Sequence, residues 1–168
     1  MRVDVPLSYP ASPDAVVAML VDRGYQERKC AALEARQVRI AVQPNGGMPI
    51  VTADRVMSAQ GAPDVIQAMV PSGIRVVETV SWAPAAVDGS RSAAVRIEFP
   101  HHPLTMRGTL SLVGADDGTR GALTAQLRAA VPFVAGRIER MAARLVIRAI
   151  TVEQAVGADW LVAGPGRR

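Results

Sequence analysis

Residues 132–161 read PFVAGRIERMAARLVIRAITVEQAVGADWL. No proline follows Pro132 in this stretch, and Val134, Ile138, Met141, Leu145, Ala149, Val152, Val156 and Trp160 recur at steps of three or four. That period places them on one side of an α-helix. At about 1.5 Å rise per residue the helix is ~40 Å long, enough to lie right across a small sheet.

Working back from it, nearly everything else reads as strands with one apolar face. Val3, Val5, Leu7 and Tyr9 alternate with polar residues, and Pro6 within them marks an edge strand or a bulge. Ser12-Pro13-Asp14 starts a helix with a hydroxyl cap, a proline in the first turn and an early acid. Gly24 ends that helix, and Tyr25 to Leu33 makes a second short one. From Val38 the period is two: a strand over 38–42, a turn at Pro44-Asn45-Gly46-Gly47, and a return strand over 49–58. Four more strands are predicted over 74–82, 92–99, 104–113 and 122–131, joined by turn-forming residues. Clean alternation gives each strand a wet face, as an antiparallel sheet allows. The fold expected is α+β: a bent antiparallel sheet of about seven strands around one long last helix, with two short helices after the first strand.

The 168 residues suffice for one domain with a sizeable core, expected over 1–161, with 162–168 a flexible tail. Aromatic residues make up only 4% of the chain, so aliphatic residues and methionine must fill the interior. Net charge is +4, carried almost wholly by arginine, and Lys29 is the sole lysine. Cys30 is alone, which rules out an intrachain disulfide and suits a reducing compartment. The opening residues have no signal-peptide pattern, and no uncharged run approaches the roughly 20 residues that cross a bilayer. A cytoplasmic protein is expected.

The order of strand, two short helices, six strands and long helix resembles the START, polyketide-cyclase and birch-pollen-allergen superfamily (SRPBCC) with its helix-grip fold. The opening VPLSYPASPDAVVAMLVD is similar to that superfamily's first strand and proline-started helix. RVVETVSWAP, HPLTMRGTLSL and VPFVAGRIERMAARLV resemble an uncharacterised bacterial branch, a domain-of-unknown-function family. The resemblance implies a deep cavity between helix and sheet for a lipid, sterol-like or polyketide-like molecule. The branch supplies no activity, and fold likeness alone does not give one.

The residues agree with a cavity. Ala93, Ala125, Ala129, Ala149 and Gly108 fill little space on surfaces that face one another, and methionines such as Met19 and Met106 adapt to varied ligands. The predicted lining is Ile138, Met141, Leu145, Ala149 and Val152 on the helix, with Phe99, Met106, Leu110 and Leu127 on the sheet. Val65, Ile66 and Met69 read either as a connector with one buried side or as a lid over the pocket mouth. Polar anchors within it would be Glu78, Asp54 or Tyr9. Glu78 follows Ile74 and Val76 inward in one register and is wet in the other, and the wet register is favoured because one buried acid costs much.

Arg137, Arg140, Arg144 and Arg148 make a second stripe on the helix with no acid three or four positions away. It reads as a solvated face, or as a peripheral contact with an anionic ligand, membrane surface or protein. Nucleic acid is not expected, since no aromatic residues interleave with the arginines. His101-His102 sits between two prolines in a surface turn. With no acid or cysteine cluster at ligand spacing, neither a metal nor a cofactor is expected. Two rivals remain beside carriage of a hydrophobic molecule. One is a cyclase/aromatase-type enzyme, needing an inward Glu78, Asp54 or Tyr9. The other is a non-catalytic interaction protein with a filled core, including a homodimer through Val146, Ile147 and Ile150.

Overall fold

A computed structural model describes residues 1–58, 67, 70 and 72–164. The first strand, β1 (Arg2–Tyr9), buries Val3, Val5, Leu7 and Tyr9, leaving Arg2, Asp4, Pro6 and Ser8 outside. It pairs with one neighbour only, so the missing N–H of Pro6 lies in an edge strand where it is tolerated. Helix α1 (Pro13–Leu20) starts where Ser12 accepts a hydrogen bond from the Ala15 N–H. Helix α2 (Arg23–Ala32) is capped by Asp22, which accepts from the Tyr25 N–H at 2.9 Å. This cap corrects the sequence boundary: the break falls at Val21-Asp22, and Gly24 belongs to the first turn of α2, beneath Trp160.

The remaining strands are β2 (Arg36–Gln43), β3 (Ile50–Met57), β4 (Ile74–Trp82), β5 (Arg91–Glu98), β6 (Leu104–Ala115) and β7 (Gly118–Ala129). Among the described residues seven strands form one antiparallel sheet in the order β1-β7-β6-β5-β4-β3-β2. Consecutive hairpins generate it from β2 to β7, and β1 adds beside β7. Where β6 meets β7, Gly108 faces Ala125, and these small residues bring the two strands very close. Val65, Ile66 and Met69, read as a lid, lie outside the described residues.

Helix α3 (Ala135–Ala163) begins three residues after Pro132, because Phe133 takes a left-handed φ of 66° and Val134 becomes the cap. It runs through Ala163, two residues into the stretch read as a tail, while 165–168 lie outside the described residues. Its seat matches the expected stripe only towards the end, where Val156 and Trp160 pack on the core. Ala142, Ala143 and Gly157 are buried, and Val146 and Ile150 pack on the core beside them. The predicted residues Ile138, Met141, Ala149 and Val152 are half-buried, and Leu145 is 43% exposed. On an ideal helix the two stripes are about 100° apart. The helix has docked through its smallest residues, which allow the closest approach, whereas the sequence pattern weighs its largest ones. A Cβ on Gly157 would stand 2.9 Å from Tyr9 Cε1 and 3.1 Å from Met19 Cε, a measure of how tight that seat is.

Close strand approach at Gly108 gives a test. A side chain there would fall on the Thr124 carbonyl oxygen and 2.6 Å from Ala125 Cβ, so Gly108→Val should cost about 1–3 kcal/mol or more. Exposed Gly136, in the first turn of α3, has only the end of Arg140 nearby, and Gly136→Ala should gain up to about 1 kcal/mol. Urea unfolding midpoints of the two variants should move in opposite directions. Equal midpoints would contradict this packing.

Candidate functional site

The inner face of the sheet is apolar along most of its width. Val51 and Ala53 on β3, Val76 on β4, Ala93 and Val95 on β5, and Met106, Leu110 and Leu112 on β6 are all buried. Helix α3 does not lie centrally over this face. It packs chiefly on β1 and β7, with α1 and α2 against it. One side of the helix is fixed towards β1: Ala143 clusters with Val3 and Val5, and Gln154 accepts from the Ser8 N–H at 3.4 Å. By helical geometry the opposite flank, Ile138, Met141, Leu145, Ala149, Val152 and Val156, is turned towards the strands beyond β7.

The predicted lining therefore falls into two groups. Met106, Leu110 and Leu127 lie together in the main core cluster with Ala142. Phe99 is half-buried just beyond the end of β5. The five helix positions instead border the side of α3 that the seat leaves open. Two surface depressions lie elsewhere, one at Pro10–Pro13 and the β6–β7 turn, the other between α2 and β2.

At the end of this flank stands a buried charged group that the sequence reading missed. Glu78, favoured there as wet, is 9% exposed and points inward. The burial of Val76, Glu78 and Trp82 on β4 fixes the register, and two cations meet the acid. Lys29 Nζ of α2 lies 3.2 Å from Glu78 Oε1, and Arg55 Nη2 of β3 lies 2.6 Å from Oε2. Arg55 shares the inner face of β3 with Val51 and Ala53; Ala53 pairs directly with Glu78, so Arg55 reaches it diagonally. Glu153 of α3 is a looser fourth member, 3.8 Å from Lys29 and 4.0 Å from Arg55. The Tyr25 hydroxyl donates to the Glu153 carbonyl oxygen at 3.2 Å, and Tyr25 meets Trp160 edge-to-face.

Burial acts on both carboxyls, with different results. Burial pushes Glu78 up, but Lys29 and Arg55 outweigh it and hold the group at about 2. Glu153, farther from the cations and repelled by Glu78, is raised above the ordinary carboxyl value, chiefly by burial. Lys29 is raised, since Glu153 and Glu78 overcome the opposing effect of its burial. Arg55 is 4% exposed, and its Nε and Nη1 have no hydrogen-bond partner among the described residues. Trp82 Nε1, on the same inner face of β4, also lacks one.

The other anchors divide. Tyr9 is inward and 5% exposed, with its phenol raised by burial and then by Glu153. Asp54 is not an inner anchor. It neighbours inward Ala53 and Arg55, so it faces out, where Arg75 holds it at 2.6 and 2.8 Å. Arg137, Arg140, Arg144 and Arg148 are exposed on the face opposite the seat, and none has an ion-pair partner among the described residues. Val146 and Ile150 belong to the core, which removes two of the three residues read as extending an apolar outer face. His101 and His102 are exposed in the turn before β6. Among the described residues no helix is long and apolar enough to cross a membrane.

The buried acid predicts a pH effect of definite sign. Glu78 is held below its ordinary value of 4.5, so its contribution is complete above that value and is lost as pH falls towards about 2. Glu78→Gln should cost about 3–5 kcal/mol at neutral pH by stranding two cations. Its unfolding free energy should also vary less with pH between 4.5 and 2 than that of the wild type. Parallel pH curves for the two proteins would refute the ion pairing.

A protein of Mycobacterium bovis is 24% identical over 133 residues, covering 78% of this chain and 75% of that protein. Among solved structures, an aromatase/cyclase from a Streptomyces species superposes with a TM-score of 0.64 at 17% identity, over 96% of this chain and 93% of that one. A STAR-related lipid transfer protein from Xanthomonas axonopodis gives a TM-score of 0.59 at 16% identity, over 96% and 84%. These likenesses show the helix-grip fold of the START and polyketide-cyclase superfamily. The model of one family, described as "Protein of unknown function (DUF2505)", matches residues 4–161, and the chain belongs to that family.

Proposed function

We propose that this protein binds and carries a small hydrophobic molecule, lipid, sterol-like or polyketide-like, between α3 and the inner face of the sheet. The observation that supports it is the off-centre seat of α3: an apolar flank lies partly open beside an apolar sheet face. A ligand bound there would gain by taking apolar surface out of water, worth about 25 cal/mol per Å² before ordering costs. Two proteins of similar fold, a lipid transfer protein and an aromatase/cyclase, are in keeping with a ligand of this kind. Carriage is preferred to catalysis because Glu78, the inward acid, is clamped by two cations and stays ionised, which suits an anchor better than a proton donor.

Native mass spectrometry of protein purified from its own host tests the reading. A bound species of lipid-like mass is expected. A ligand-free mass, together with no uptake of a hydrophobic fluorescent probe, would overturn it. Substitution locates the site. Ala149→Trp on the open flank should lower probe affinity at least ~10-fold while leaving the unfolding temperature nearly unchanged. Ala142→Trp, in the seat, should destabilise by about 1–3 kcal/mol or more through overpacking. Equal destabilisation by both would mean the flank is packed.

A further inference from the structure

The group at Arg55 holds more hydrogen-bond donors than a closed structural ion pair uses. Arg55 and Lys29 are both buried, and Glu78 alone contacts them closely. Glu153 stands farther off, 3.8 Å from Lys29 and 4.0 Å from Arg55. The two acids match the two cations in number, yet Arg55 keeps buried donors that neither acid reaches, a costly state for a protein that offers nothing in return. These donors lie on one side chain: Arg55 Nη2 serves Glu78, whereas Nε and Nη1 have no partner among the described residues. Around the cations the surface is apolar, with Val51, Ala53 and Val76 on the sheet. On α3, Glu153 lies next to Val152 and one turn from Ala149, so the half-buried flank ends beside the cations.

We infer that Arg55 receives the carboxylate of the bound molecule, so that the ligand is an amphipathic acid with its apolar body along the α3 flank. This rests on the hydrophobic-ligand reading above and adds the class of head group. A carboxylate brings negative charge to the guanidinium and accepts from its free donors. An alcohol or ester of equal length accepts a hydrogen bond but brings no charge. Hydrogen bonds between ionised partners are about twice as strong as neutral ones. Lys29, already held by Glu78, adds attraction at longer range, and Glu78 keeps Arg55 in place.

Competition binding on the whole protein decides this, using a hydrophobic fluorescent probe displaced by hexadecanoic acid, hexadecanol, methyl hexadecanoate or acetate. The acid should bind on the order of 10- to 100-fold tighter than the alcohol or ester. Acetate should displace nothing, which separates an amphipathic ligand from a small anion. In Arg55→Met, and in the charge-balanced double variant Arg55→Met/Glu78→Met should the single one fold poorly, the acid's advantage should vanish while the alcohol still binds. Circular dichroism confirms the fold of each. Equal affinities for acid and alcohol in the wild type, or an advantage that survives loss of Arg55, would overturn the head-group assignment while leaving hydrophobic carriage standing. Failure of every long-chain compound to displace the probe would overturn both.

Discussion

Close contact through small residues governs this molecule. Ala142, Ala143 and Gly157 let α3 settle directly on the β1 and β7 side of the sheet, with Tyr9 and Met19 against the glycine. A helix seated there cannot also lie over β4 and β5. Its bulkier residues, Ile138, Met141 and Leu145, are left on a flank, and the inner face of the middle strands lies beyond them.

The second half of α3 is fastened differently from the first. Near its start, Glu139 accepts from the Ala129 N–H at 3.0 Å. Towards its end, Tyr25, Trp160 and the charged group of Lys29, Arg55, Glu78 and Glu153 join it to α2, β3 and β4. Burying such a group is expensive, and apolar residues of equal volume would often serve stability as well or better. Its retention on the inner face is easier to understand if the charges also orient a guest. Cys30, beside Lys29 on α2 and 1% exposed, has its thiol raised by burial, so it acts as filling and not as a nucleophile.

The order of elements was legible because period-two alternation, Ser12-Pro13-Asp14 and the Asn45-Gly46 turn are local signals that tertiary packing did not override. The face of α3 was legible only at its end, where Val156 and Trp160 pack on the core. Sequence periodicity selects large apolar residues, whereas the seat is built from alanine and glycine, whose value lies in being absent. The charged site was half legible: Glu78 had an inward register available, but an isolated buried acid looked too costly. Its partners held the missing signal. Arg55 follows Val51 and Ala53 at a spacing of two, and the sole lysine lies on the short helix that covers that corner. Pairing β3 with β4 in register would have placed Arg55 diagonal to Glu78 and removed the objection.

The seat of α3 and the room it leaves are tested together by diffraction from crystals pressurised with xenon, which enters dry apolar cavities. Xenon should appear between Ile138, Met141 and Ala149 on one side and the inner residues of β5 and β6 on the other. Those residues in direct contact, with no xenon between them, would contradict the account.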